Sequence, residues 1–343
     1  MGLSAKEKNI LQSICVGSEN DPNKPEFPPD NPKFPATPTY RIKVPGFKNV
    51  WLKDESHNPT GTHKDRMAWE MIVTYRDILL AKERGLVKEK LPQLSIITSG
   101  AAGVAIQTFL NKYNLPPLKC LVDLSLKKEI VEQLESLGCE LYFLDLSRKA
   151  LSWKEILEYT DNSDGIDVTS SEGLDPNIRY YDWFSYECIN QSPDYCFIPF
   201  GSGHIYQNIV NISKKEVSSA QHDPRFKGKV ETLRNCNFMG ATVNDPNSIA
   251  DKLYAPHRPF SVFEDQWIRC YRLLGDCGQD SNVFLVREKF IEQAMKLSAE
   301  QNIVCEPSGI AGLALLLQMK DKIPNNKKIL IVNTGKVKNP SRK

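Results

Sequence analysis

One lysine in the chain lies where its amine could do chemistry. Lys64 follows a strand-like stretch, a Pro59-Thr60-Gly61 turn and a hydroxyl-rich loop, and it stands at the predicted start of a helix. The positive end of the helix dipole disfavours the charged form of an amine at this place. A neutral lysine can attack a carbonyl group and form a Schiff base. Most helix-start lysines are simply solvated, so this interpretation depends on the other loops.

Three further loops carry groups that could bind an anion or the ring of a ligand. Gly201-Ser202-Gly203-His204 follows an apolar stretch and opens a predicted helix, so its backbone N–H groups suit a phosphate. Thr98-Ser99-Gly100-Ala101-Ala102 is a similar turn that suits a carboxylate. Thr334 and Gly335 follow the last predicted strand. Taken alone, each loop could be an ordinary tight turn, and the glycines match neither the Walker loop nor the dinucleotide fingerprint.

Strand-like and helix-like patterns alternate along the chain and would position these loops. The predicted strands are Asn49–Lys53, Leu94–Thr98, Leu118–Asp123, Glu140–Leu144, Tyr195–Pro199, Asn237–Ala241 and Lys328–Asn333. The predicted helices are Lys64–Lys82, Ala101–Lys112, Lys127–Leu137, Trp153–Tyr159, Asp182–Asn190, His204–Ser213, Glu288–Gln301 and Gly309–Met319. Such alternation predicts the α/β class, with two doubly wound, mainly parallel-sheet domains. Ligands of such sheets bind beyond the carboxyl ends of the strands, where the four loops would converge.

The chain divides into an arm and two predicted domains. Residues 1–38 end in a segment with seven prolines between Pro22 and Pro38, which predicts an extended arm over a surface or a partner subunit. A break near residues 160–180 separates two series of elements. We predict a large domain of residues 39–90 and 175–343, and a small mobile α/β domain of residues 91–174.

Composition excludes several classes of protein. With 41% hydrophobic and 25% charged residues, the chain of 343 residues is typical of a globular protein. The net charge of +2 gives no reason to expect a nucleic-acid or membrane partner. The nine cysteines, an odd number without a CxxC pair, predict reduced thiols and a cytoplasmic location. The five histidines form no metal-ligand pattern, and there is no signal-peptide or membrane-spanning pattern.

Together the motifs resemble the pyridoxal-phosphate enzymes of fold type II, and most closely their threonine synthase branch. Asp54-Glu55 and the run from Asn58 to Arg66 resemble the signature K-D-E-x-x-N-P-T-G-S-F-K-D-R of that branch. The weaker matches are Thr37-Pro-Thr-Tyr40 to the opening T-P-L, Glu306-Pro307-Ser308 to E-P-A-S, and Thr334-Gly335 with Lys338 to T-G-x-G-L-K.

The resemblance implies a role for each loop. Lys64 would bind the aldehyde of pyridoxal 5'-phosphate as a Schiff base and then act as the general base at Cα. Thr334 would hydrogen-bond the pyridine nitrogen. The other implied contacts are Gly201, Ser202, Gly203 and His204 with the cofactor phosphate, Glu306 with the cofactor, and Thr98, Ser99, Gly100, Ala101 and Ala102 with the substrate carboxylate. The resemblance also implies a homodimer, with the cofactor in the cleft between the two domains.

Three positions depart from the family pattern. Ala101 stands where the family has an asparagine that contacts the phenolic oxygen of the cofactor, and His204 stands where the branch often has glycine. His63 replaces the aromatic residue before the lysine and places a titratable group beside it, as in the tryptophan synthase β subunit. These departures leave the substrate open.

Three functions remain. The leading hypothesis is a threonine synthase-like lyase that eliminates phosphate from O-phosphohomoserine and adds water at Cβ. A hydroxyl partner such as Thr334 keeps the ring a weak electron sink, which favours elimination or replacement over transamination. The second hypothesis is β-elimination or β-replacement on serine, threonine or an activated serine, motivated by Ala101 and His63. The third is a weakly catalytic cofactor-binding sensor or partner subunit.

Overall fold

The computed structural model describes residues 2–16, 34–88, 90–169, 179–254 and 283–338. The strands are β1 Thr39–Ile42, β2 Val50–Asp54, β3 Leu94–Ile97, β4 Lys119–Asp123, β5 Glu140–Leu144, β6 Ile166–Asp167, β7 Tyr195–Pro199, β8 Asn237–Thr242, β9 Val283–Leu285 and β10 Ile329–Asn333. The helices are α1 Ala5–Val16, α2 Lys64–Glu83, α3 Ala101–Lys112, α4 Lys128–Leu137, α5 Trp153–Tyr159, α6 Asp182–Ile189, α7 His204–Ser218, α8 Val230–Arg234, α9 Glu288–Glu300 and α10 Ala311–Gln318. The predicted α/β class is confirmed.

Contacts divide the chain into two compact units. The first contains Met1–Pro35 and Lys64–Tyr180, and the second contains Ala36–His63 and Tyr181–Lys343. The sequence analysis assigned residues 39–90 to the larger domain, whereas the contacts place α2 in the first unit because α2 lies against α1 and α3. The mobility of the first unit stays a prediction.

The second unit is built on a sheet with the order β1-β2-β10-β7-β8-β9. β1 runs antiparallel to β2, and the other strands are parallel to their neighbours. α10 lies on this sheet against β7, β8 and β10. Gly312 allows this approach, because a Cβ atom there would lie 2.7 Å from the Phe197 carbonyl oxygen. The apolar side chains of α10 and the sheet form one buried core.

The first unit is built on a wholly parallel sheet with the order β5-β4-β3-β6. Its central strands β3 and β4 are buried along nearly their whole length, as expected for a sheet covered on both faces. No helix among the described residues is long and apolar enough to cross a membrane.

The predicted N-terminal arm is wrong over its first part. Ala5–Val16 is a helix, and nothing in the sequence prevents it, since the first proline of the chain is Pro22. Most of the proline-rich segment, residues 17–33, lies outside the described residues.

Candidate active site

Adjacent parallel strands of the second unit bring several loops to one edge of the sheet. β10 lies between β2 and β7, with Asn333 opposite Asp54 and Ile331 opposite Phe197. β8 follows on the other side of β7, with Ala241 opposite Pro199. The loops after these four strands therefore leave the sheet at the same edge, which is where parallel sheets bind ligands.

The loop after β2 is joined to the loop after β10 by backbone contacts. Thr62 and Gly335 form a β-bridge, and the N–H of His63 donates to the Thr334 carbonyl oxygen at 3.1 Å. Gly335 has φ +89°, and a Cβ atom there would lie 2.1 Å from the Gly61 carbonyl oxygen. Only glycine fits this approach. The same bridge therefore fixes Thr334 and the residue before Lys64.

Thr334 is buried and anchored on both sides. Its N–H donates to the Gly309 carbonyl oxygen at 3.0 Å. The preceding Asn333 side chain donates to Asp54 Oδ1 at 2.8 Å and accepts the Gly335 N–H at 3.0 Å. The His63 ring lies against Tyr181, with 5.7 Å between centroids, and its Nδ1 is 3.3 Å from the Thr334 carbonyl oxygen. These contacts fix the backbone of Thr334 and the ring of His63.

A buried polar cluster holds the loop after β2, and the sequence analysis missed it. Asn58 Nδ2 donates to Glu55 Oε2 and to the Thr62 carbonyl oxygen, both at 2.9 Å. Lys53 Nζ lies 2.5 Å from Glu187 Oε2 and 3.7 Å from Glu55 Oε1. Charges as deeply buried as those of Lys53 and Glu55 need such partners. The spacing of the polar residues in the K-D-E-x-x-N motif was the sequence signal that could have identified this cluster.

The loop after β7 has the backbone of an anion site. Gly203 has φ +86° and caps α7, a helix of 15 residues. His204 is the first residue of that helix, so its departure from the family glycine requires no unusual backbone. A Cβ atom on Gly201 would lie 3.0 Å from the Lys252 carbonyl oxygen. The glycines and the helix N-terminus thus fit a phosphate group.

Lys252, in the loop after β8, contacts the turn that carries Glu306. Its Nζ lies 2.5 Å from Glu306 Oε2, and its N–H donates to Ser308 Oγ at 3.2 Å. The sequence analysis did not identify Lys252, because the residue belongs to no motif. Lys252 and Glu306 are 54 positions apart in the sequence.

Lys64 and the carboxylate turn belong to the first unit. Lys64 begins α2, and burial lowers the pKa of its amine from 10.5 to about 8. In the turn before α3, Thr98 Oγ1 accepts the N–H groups of Gly100 and Gly103 at 3.0 and 3.3 Å. Ala101 and Ala102 form the first turn of α3. Their N–H groups lie at a helix N-terminus, which suits a carboxylate.

The predicted site residues therefore fall into two sets. His63, Gly201, Ser202, Gly203, His204, Glu306 and Thr334 lie in the second unit, and Lys64 with Thr98–Ala102 lies in the first. Their individual roles stay predictions. Among the described residues, no group of three or more His, Cys, Asp or Glu side chains could hold a metal ion.

A family model described as pyridoxal-phosphate dependent enzyme matches residues 33–335. The chain belongs to this family, and its cofactor is pyridoxal 5'-phosphate. A threonine synthase from Synechocystis sp. is 23% identical over 312 residues, covering 89% of this chain and 76% of that protein.

Solved structures of similar fold support the same class. An O-acetylserine dependent cystathionine beta-synthase from Helicobacter pylori has a TM-score of 0.59 at 16% identity, covering 98% of this chain and 96% of the other. A serine racemase from Dictyostelium discoideum has a TM-score of 0.59 at 19% identity, covering 83% and 86%. At these identities the likeness shows the fold, which is that of fold type II pyridoxal-phosphate enzymes.

Proposed function

We propose that the protein is a lyase that eliminates or replaces a group at Cβ or Cγ of an amino acid, with O-phosphohomoserine as the leading substrate and threonine as its product. The observation that carries the reaction type is Thr334, a buried hydroxyl residue fixed at the carboxyl end of β10. A hydroxyl partner leaves the cofactor ring a weak electron sink. The threonine synthase relative supports the choice of substrate.

When bound, pyridoxal phosphate withdraws electrons from Cα of the attached amino acid. In this proposal Gly201–His204 bind its phosphate, and Lys64 holds the cofactor and moves the proton at Cα. The lowered pKa of Lys64 serves this role, because an appreciable share of the amine is neutral near pH 7. His63, the adjacent titratable side chain, is the second group for proton transfer. The turn at Thr98–Ala102 binds the substrate carboxylate.

The direct test is incubation of the purified protein with O-phosphohomoserine, with phosphate and threonine measured together. We expect both products in equal amounts from the wild type and neither from Lys64→Ala. The matched control is Lys88→Ala, which removes an exposed lysine of the first unit. Absence of both products from a cofactor-loaded wild type would reject this substrate.

The second candidate is β-elimination or β-replacement on serine, threonine or an activated serine. It is favoured by Ala101, which begins α3 in place of the family asparagine, and by the likeness to the O-acetylserine dependent enzyme. Serine, threonine and O-acetylserine should be assayed for pyruvate, 2-oxobutyrate and new amino acids. Ala101→Asn, which restores the family residue, should then change the ratio of activities among the substrates. If no substrate is turned over, the third hypothesis, a cofactor-binding sensor or partner subunit, would replace both.

We also propose a homodimer in the cytoplasm. The described cysteines are free and buried, which agrees with a reducing compartment. Light scattering after gel filtration would measure the assembly, and a monomeric mass would reject the dimer. Localisation of a fluorescently tagged chain would test the compartment.

A further inference from the structure

Lys252, in the loop after β8, contacts both the Gly201–His204 loop and the turn that carries Glu306. Its ammonium lies 2.5 Å from Glu306 Oε2, and its N–H donates to Ser308 Oγ. Its carbonyl oxygen lies against Gly201, where a Cβ atom would come within 3.0 Å. The two backbone contacts fix the place from which the Lys252 side chain reaches Glu306.

The turn that carries Glu306 is itself hydrogen-bonded to Thr334. The Glu306 carbonyl oxygen accepts the N–H of Ile310, which closes the turn, and the Gly309 carbonyl oxygen accepts the N–H of Thr334. A Cβ atom on Gly309 would lie 2.6 Å from the Gly335 carbonyl oxygen. The Glu306 carboxylate and the Thr334 hydroxyl therefore belong to neighbouring segments at one edge of the sheet.

The charges of Lys252 and Glu306 would affect the ring nitrogen of a bound cofactor. The side chain of Glu306 is 19% exposed and that of Lys252 is 29% exposed, so the pair is only partly screened by water. A carboxylate that loses its partner in such a place is free to turn toward another cation. Beside the ring nitrogen of a cofactor, it would stabilise the protonated form of the ring.

We infer that Lys252 is a positioning residue that keeps the Glu306 carboxylate turned toward its own ammonium, so that the ring nitrogen is left to the Thr334 hydroxyl and stays unprotonated. The inference rests on the proposed function, in which Glu306 and Thr334 bind the cofactor. The ion pair would thereby contribute to reaction specificity, because it keeps the ring from becoming the stronger electron sink that other reactions at Cα need.

The test is the nitrogen-15 resonance of cofactor labelled at the ring nitrogen and bound to the full-length protein at a fixed pH. In the wild type we expect the shift of an unprotonated pyridine. In Lys252→Met we expect a large upfield shift, because protonation shields this nucleus. Lys252→Arg, which keeps the charge, should resemble the wild type.

Two further variants separate this role from a structural one. Lys252→Met combined with Glu306→Gln should return the resonance to the wild-type position, because no carboxylate then remains to stabilise a protonated ring. Lys327→Met breaks an ion pair of 3.2 Å with Asp194 before the amino end of β10 and should leave the resonance unchanged. If Lys252→Met does not fold, Lys252→Gln removes the charge at nearly the same length.

A wild-type resonance in both neutral Lys252 variants would overturn the inference, as would an upfield shift that persists in the double variant. Failure of the proposed function is distinguishable, since it appears as loss of turnover or of cofactor binding in the wild type itself. The resonance can be read in a protein that binds the cofactor but turns over no substrate.

Discussion

The two units hold their candidate residues by different means. In the second unit the loops after β2, β7, β8 and β10 contact one another across long stretches of sequence, through bonds such as that of His63 to Thr334. In the first unit the side-chain bonds of the carboxylate turn are local, since Thr98 Oγ1 accepts N–H groups two and five residues further on. One long-range backbone bond, from the Thr98 N–H to the Leu121 carbonyl oxygen at 3.1 Å, joins this turn to the neighbouring strand. A tightly interlocked edge suits a group that stays bound, whereas a local turn suits a substrate that comes and goes.

The largest expected effect follows from removing the amine of Lys64. Lys64→Ala should lower kcat by at least about a thousandfold, because in the proposed function both covalent attachment of the cofactor and proton transfer at Cα depend on that amine. Borohydride treatment followed by mass spectrometry should find the cofactor on Lys64 in the wild type and none in the variant. Labelling at a different lysine would show that the reactive residue has been misassigned.

Much of this arrangement was predictable from sequence. Glu140–Leu144, Tyr195–Pro199 and α3 have the predicted bounds, because their apolar runs begin and end at clear turn residues. β6, with two residues, and β9, with three, are too short to leave a pattern. The motif-bearing loops were found because their glycines and hydroxyls follow strands.

What the sequence could not supply were the contacts between distant segments. Lys252 is an ordinary lysine by type and by neighbours, and only folding brings it to Glu306. Glu187 likewise lies on α6, far along the chain from its partner Lys53. Such pairs depend on strand order, and no local sequence pattern predicts that β10 lies between β2 and β7.

A pair of glycine variants tests the interlocked edge. Gly335→Ala should destabilise the protein by about 3 kcal/mol or more, because a positive φ is combined with a clash against the Gly61 carbonyl oxygen. Gly138, in the first unit, has φ +94° with no atom within 4 Å of the added Cβ. Gly138→Ala should therefore cost only about 1 kcal/mol. Urea denaturation measures both, and equal losses would contradict the difference between the units.

Asn58→Ala tests the buried cluster of the second unit. It takes one donor from Glu55 and one from the Thr62 carbonyl oxygen, so we expect a loss of about 2 to 3 kcal/mol in unfolding free energy together with a lower kcat. The control in the first unit is Ser136→Ala, which loses a bond to the Gln133 carbonyl oxygen at an exposed place. Its cost should stay below about 1 kcal/mol. A larger loss from Ser136→Ala would reverse the comparison.

Burial of the Lys64 amine should lower the stability of the folded protein by an amount that depends on pH. Its pKa is about 8 when folded and 10.5 ordinarily, so below pH 8 the folded protein carries the full penalty of burying the charge. Between pH 8 and 10.5 the folded state loses the proton first, and stability rises. Lys64→Met should therefore stabilise the cofactor-free protein by about 2 kcal/mol at pH 7, after allowance for partial exposure.

This advantage of Lys64→Met should shrink above pH 8 and be gone near pH 10.5. Urea denaturation of both proteins across that range gives the curve. An advantage that does not change with pH would mean that apolar contacts of the new side chain, and not the charge of Lys64, account for the gain.

The smallest effect concerns the carboxylate turn. Thr98→Val keeps the shape of the side chain but removes the oxygen that accepts the N–H groups of Gly100 and Gly103. Loss of such a cap costs about 1 kcal/mol, which corresponds to a rise of about fivefold in KM if the turn binds substrate only in its present conformation. kcat should change little, since in the proposed function other residues hold the cofactor.

Two variants decide whether that effect belongs to the turn. Thr98→Ser keeps the oxygen and should keep the wild-type KM. Thr108→Val removes a hydroxyl that donates to the Val104 carbonyl oxygen within α3, at 2.7 Å, and should also leave KM unchanged. If Thr98→Val lowers kcat as strongly as KM rises, the turn also positions the reacting atoms, and the division between a holding edge and a substrate turn would have to be redrawn.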